Sequence, residues 1–70
     1  MTKTYAVVIE PAGTGFSAYV PDLPGCVAAA PSREAVLVEI RGAIQFHLEG
    51  LASEGQVAPA SSSSVEMVSV

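Results

Sequence analysis

Residues Gly15 to Ala28, Gly-Phe-Ser-Ala-Tyr-Val-Pro-Asp-Leu-Pro-Gly-Cys-Val-Ala, decide the fold of this chain. Phe16, Ala18 and Val20 alternate with Ser17 and Tyr19, the two-residue period of a half-buried strand. Pro21 has no N–H to give to a ladder and ends the strand. Pro24 and Gly25 then place a fixed φ before a residue that tolerates positive φ, the chemistry of a type II turn. From Cys26 the chain resumes an extended apolar run. The stretch reads as strand, rigid turn, strand.

Working outward, Tyr5 to Glu10 form a first strand, with Tyr5, Val7 and Ile9 on one side and Ala6, Val8 and Glu10 on the other. The cluster Pro11-Ala12-Gly13-Thr14-Gly15 turns it into an antiparallel hairpin with the strand at 16–20. Downstream, Ser32 is a good helix N-cap, and Glu34 sits where the helix dipole favours an acid. The reciprocal capping box is missing, because Ala35 stands where Glu or Gln would be needed. Leu37, Ile40, Ile44, Leu48 and Leu51 recur at three- and four-residue spacings, predicting an amphipathic helix over 33–54 that Gly55 caps. Gly42 is an internal weakness of that helix. Residues 56–64, with Pro59 and the four serines Ser61 to Ser64, read as a flexible polar connector. Val65 to Val70 return to a strand pattern.

The predicted order is β-β-β-α-β: an α+β fold with a small antiparallel-rich sheet and one long helix on one face. Its parts are a β-β-β-α core over 1–55, the connector 56–64 and a last strand 65–70. One helix covers one face, yet both sides of the first strand carry apolar residues. The uncovered face is therefore an expected interface, and a homo-oligomer, dimer or tetramer, the expected state.

Composition points the same way. The chain has 70 residues, half of them hydrophobic and only 14% charged, where an average soluble domain has roughly 25% charged. A domain this small is mostly surface, so a shortage of charge implies burial against another chain. Lys3, Arg33 and Arg41 face seven acids, for a net charge of −4. Nucleic-acid affinity comes from neutralising phosphates, and three cations argue against direct DNA or RNA binding. An acidic protein suits a basic partner, since complementary charge speeds encounter and filters partners. One cysteine allows no intrachain disulfide. No apolar run reaches the ~18 residues of a membrane span, and Met-Thr-Lys-Thr leads directly into a strand pattern without a signal peptide. The expectation is a cytoplasmic protein with no membrane contact.

Catalytic groupings do not assemble. Cys26 and His47 form a nucleophile–base pair only on paper. Cys26 follows a turn glycine and reads as a small buried hydrophobe, and His47 as a packing or surface residue beside Leu48. A zinc site needs three or four ligands. Neither metal nor cofactor is expected. Glu10 reads as a strand-end carboxylate, Asp22 as a turn side chain bonding nearby backbone N–H groups, and Glu34, Glu39 and Glu49 as a solvated helix face.

Glu10, Gly15-Phe16, Ala18-Tyr19-Val20-Pro21-Asp22-Leu23-Pro24-Gly25-Cys26 and Ser32-Arg33-Glu34-Ala35 stand in an ordered series. They are followed by Ala43-Ile44, His47-Leu48-Glu49-Gly50-Leu51, Gly55 and Pro59. This series closely resembles the signature of the HicB family, antitoxin partners of HicA toxins that cleave messenger RNA. The likeness spans roughly residues 5–59. It implies a trimmed RNase H-like fold without nuclease chemistry. It also implies a non-catalytic role, in which the domain covers the active site of a small basic HicA-type toxin. On that reading Asp22 and Glu66 are the carboxylates facing the toxin, and Tyr19 and Leu23 the apolar anchors. Many HicB proteins carry a further DNA-binding module, for which a chain ending at Val70 leaves no room, so operator binding is not expected. The alternative is a solitary self-assembling structural or interaction module with no toxin partner.

Overall fold

The computed structural model describes residues 3–70; Met1 and Thr2, the first residues of the expected core, lie outside them. Three strands, β1 (Val8–Ala12), β2 (Gly15–Tyr19) and β3 (Val27–Ala30), precede one helix, α1 (Arg33–Ser53). The sheet is an antiparallel meander in the order β1-β2-β3.

The first hairpin is tighter than the sequence suggested. Pro11 lies within β1 opposite Phe16, and Ala12 pairs with Gly15, so only Gly13 and Thr14 form the turn. Gly13 takes φ +59° while no non-glycine residue described has positive φ, the pattern of a type II′ turn. Pro11 is tolerated because β1 is an edge strand, where one side needs no donors. Tyr5 to Val7 fall outside the ladder. Val8 already pairs with Tyr19, and the chain beyond Tyr19 leaves for the turn.

The β2–β3 connection carries two consecutive turns. Leu23 N–H donates to Val20 O at 3.1 Å across Pro21-Asp22, and Cys26 N–H donates to Leu23 O at 3.1 Å across Pro24-Gly25. Gly25 has φ +83°, as the third position of a type II turn requires. Val20 N–H closes the loop on Cys26 O. The result folds Leu23 inward, where it is 0% exposed.

Ser32 caps α1 as expected: its Oγ accepts from Ala35 N–H at 3.1 Å. At the other end Gly55 (φ +74°) forms a Schellman ending, with Gln56 N–H on Leu51 O and Gly55 N–H on Ala52 O. The core joins Ala18, Val20, Leu23 and Cys26 to Val36 and Ile40, with Tyr5, Val7, Ile9, Phe16, Ala43, Ile44 and Leu48 packed around it. Of the predicted stripe, Ile40 is buried and Ile44 and Leu48 pack against the core; only its first position is corrected, since Val36 is buried whereas Leu37 is 44% exposed. Residues 35–38 read Ala-Val-Leu-Val, so several facings satisfy the helical period and only the packing chooses.

The fifth element is a correction. Residues 65–70 form no ladder with the sheet, and the observed order is β-β-β-α. The serine connector has defined contacts, described below.

Two substitutions test this arrangement. Leu23→Ala removes a fully buried side chain and should cost about 2–5 kcal/mol, comparable to the whole stability of a domain this small. Gly15→Ala would set a Cβ 2.5 Å from Ala30 O and 3.2 Å from Pro31 Cα, backbone atoms that cannot swing aside, and should cost about 1–3 kcal/mol. Urea melts followed by helical circular dichroism measure both.

Candidate functional site: the open sheet face and the Asp22 loop

The pleat assigns each strand residue to a face. Ile9, Ala18 and Ala28 form one cross-strand row, and Phe16 pairs with Ala30 in another; these residues pack against the core under α1. The opposite face is uncovered. Its rows are Val8–Tyr19–Val27 and Glu10–Ser17–Ala29. Tyr19 is 42% exposed and Val27 65% exposed, so this face presents an apolar row beside a polar one. Tyr19 is accessible for partner contact. Leu23 is not: it lies in the core, which corrects its expected role as an anchor facing a partner. A leucine between two tight turns can point into the domain as readily as out, and the hydrophobic effect decides for the inside.

Asp22 is also used differently from the expectation of a local turn bond. Its carboxylate accepts four hydrogen bonds from a segment forty residues away. Ser62 N–H and Ser63 N–H each donate to Oδ2 at 3.0 Å. The Ser63 hydroxyl donates to Oδ1 at 2.8 Å and the Ser62 hydroxyl at 3.2 Å. Hydrogen bonds to an ionised acceptor are shorter and stronger than neutral ones. A second tie lies upstream, where Tyr5 Oη–H donates to Pro59 O at 2.8 Å. The serine run is therefore a strap across the end of the sheet, passing Tyr5 before β1 and then Asp22 in the β2–β3 loop. Glu66 lies just beyond the strap and is exposed. Glu66 follows Ser63, which bonds Asp22, by three positions in the chain, and Asp22 already spends its acceptors on serines.

No sequence signal marked this contact. Asp22 sits in a turn and the serines in a low-complexity run, and each has an adequate local reading. Their pairing depends on where the Schellman ending at Gly55 sends the chain.

Cys26 is buried, and desolvation raises its thiol pKa, which disfavours the reactive thiolate. Among the described residues no group of three or more His, Cys, Asp or Glu is placed to hold a metal ion. No described helix is long and apolar enough to cross a membrane.

The bonds from Ser63, backbone first and then hydroxyl, followed by those from Ser62, outweigh desolvation and hold the Asp22 pKa below its ordinary value of 3.8. A depressed carboxylate contributes stability above its unfolded pKa and loses it as pH falls through the folded one. The strap should therefore be fully held at neutral pH and released only below about pH 4. In amide NMR spectra Ser62 and Ser63 should titrate together, with a midpoint under that of an unperturbed aspartate. In Asp22→Asn the low-pH transition of both amides should disappear.

Comparison with known proteins places this architecture. The family model described as HicB_like antitoxin of bacterial toxin-antitoxin system matches residues 5–70. An uncharacterized 14.9 kDa protein in the rep-hol intergenic region of Haemophilus phage HP1 (strain HP1c1) is 33% identical over 57 residues, covering 81% of this chain and 43% of that protein. The chain thus spans less than half the length of that relative. No solved structure matches it. With a family match across nearly all of its described residues, this chain belongs to the HicB-like antitoxins of bacterial toxin-antitoxin systems.

Proposed function

We propose that this chain neutralises a small basic toxin of the HicA type by protein contact, without chemistry of its own. The observation that carries the reading is the family match over residues 5–70. Its physical support is an acidic chain of net charge −4 that leaves an apolar row, Val8–Tyr19–Val27, on an uncovered sheet face. A surface of this kind meets a cationic RNA-binding face with complementary potential, while aromatic and aliphatic side chains supply adhesion.

In this reading the sheet-and-helix layer is a trimmed RNase H-like scaffold used for binding. Tyr19 is the apolar anchor. Glu66 is a carboxylate facing the toxin, and Asp22 acts through the strap that positions Glu66. Leu23 supports the surface from below. The protein works in the cytoplasm, where its RNA-cleaving target acts, and self-associates through apolar surface left open by the single helix.

The test is affinity capture of the tagged chain from its native cell extract, with mass spectrometry of what is retained. Near-stoichiometric recovery of a small basic protein is the expected result; recovery of the bait alone would favour a solitary self-assembling module. With the toxin in hand, Tyr19→Ala should weaken binding roughly tenfold or more, the scale of an aromatic anchor. Asp22→Ala combined with Glu66→Ala should lower affinity and flatten its dependence on salt. Unchanged affinity in both variants, measured by calorimetry, removes these residues from the interface.

A further inference from the structure

The strap delivers the 65–70 segment to the edge of the molecule with its strand pattern unspent. Val65, Met67, Val68 and Val70 are all exposed, Met67 at 91%. Apolar residues fall on both sides of this six-residue alternation, the pattern of a strand buried on two faces. A chain that exposes four such residues within six positions on a monomer is missing a surface.

The sheet offers two open edges, and they differ. β1 carries Pro11, with a charged Glu10 beside it, both of which discourage strand addition. β3 reads Val-Ala-Ala-Ala, with no proline, charge or bulge to guard it. Beside β3 runs a shallow groove of about 450 Å³, lined among others by Val27, Ala29, Gly42, Ala43 and Phe46. Phe46 is 79% exposed and Val38, also on the groove, is exposed as well. Gly42 keeps the groove open: a Cβ there would meet nothing within 4 Å. Glycine is unfavourable inside a helix, and the missing side chain leaves room for an added strand.

We infer that residues 65–70 of one copy add as a fourth strand to the β3 edge of a second copy, reciprocally, so that the domain is a strand-exchanged dimer. This specifies the self-association in the functional reading above and does not depend on the toxin. The strap runs from the β1 side at Tyr5 to the β2–β3 loop at Asp22, so the segment leaves the domain heading away from β1. Glu66 sets the facing of the added strand. Turned into the groove, it would sit in an apolar cleft that already contains Glu39, so Val65 and Met67 enter the groove. Glu66, Val68 and Val70 then extend the open face. Glu66 there continues a face that already carries Glu10 and Ser17.

Val38 and Phe46 on the groove and Val65 and Met67 of the added strand are all exposed on the monomer and would be covered together, twice over, in a reciprocal pair. Main-chain bonds of two added strands supplement these contacts.

Sedimentation velocity on the full 70-residue chain tests the proposal, with three variants at exposed positions that leave the core untouched. The wild type should be a dimer. Met67→Lys and Phe46→Glu should each weaken dimerisation roughly tenfold or more, by placing an unpaired charge in the groove. The two together should restore association, because each lysine then meets the glutamate of the other copy. Helical circular dichroism should be unchanged throughout. A monomeric wild type at the highest soluble concentration, or Met67→Lys dimers as strong as wild type, would overturn the proposal. A monomer whose β3 amides resist hydrogen exchange would also overturn it, since the strand would then fold back on its own chain. Toxin capture by Met67→Lys is scored separately, so loss of the dimer and loss of the antitoxin reading remain distinguishable.

Discussion

Leu23 is the contact on which the rest of this small domain depends. It sits in a seven-residue connection between β2 and β3, a place where side chains ordinarily face solvent, yet it is among the most buried residues in the molecule. Two tight turns make this possible by satisfying the loop's own backbone: Val20 and Leu23 carbonyls accept within it, and Val20 N–H bonds across it to Cys26. With those polar groups paired locally, a leucine can be inserted between the sheet and α1 beside Val36 and Ile40 without leaving orphan donors or acceptors. The same loop fixes the β2–β3 register and points Asp22 outward. Core, sheet order and strap all issue from one stretch of chain.

The second constraint is geometric. A sheet has two faces and this one has a single helix to cover them. The core residues gather on the helix side, and the apolar row Val8–Tyr19–Val27 is left on the other. The helix also keeps apolar residues that do not meet the sheet, Val38 and Phe46 among them. These surfaces, with the low charge content of the chain, are the physical basis for reading the domain as one that works in contact with other proteins. The function proposed above, covering a basic surface, calls for the adhesion and complementary charge that these surfaces offer.

The strap illustrates how an apparent linker becomes structure. Four serines in succession favour flexibility, but a carboxylate at the right place converts their N–H and O–H groups into a set of donors for one acceptor. Because the pairing is carried by an ionised side chain that is solvent-accessible, it shapes the path of the chain more than it adds to global stability. It directs residues 65–70 without holding them against their own domain.

Periodicity and turn chemistry alone gave the number and order of the strands, though with the first at Tyr5–Glu10 where the ladder runs Val8–Ala12, together with the type II turn at Pro24-Gly25, the Ser32 and Gly55 caps and the grouping of Tyr5, Val7 and Ile9 on one side of their strand. Each of these rests on interactions within a few residues. The ordered motif series likewise disclosed the family. Tertiary structure decided what depends on distant partners. It chose Val36 over Leu37, because adjacent apolar residues satisfy the helical period equally and only packing separates them. It buried Leu23, because the direction of a turn side chain is set by what lies beneath it. It joined Asp22 to Ser62 and Ser63, a pairing across forty residues that no local pattern encodes. It left residues 65–70 unpaired although their alternation is that of a strand, because a strand exists only where another edge donates and accepts its hydrogen bonds.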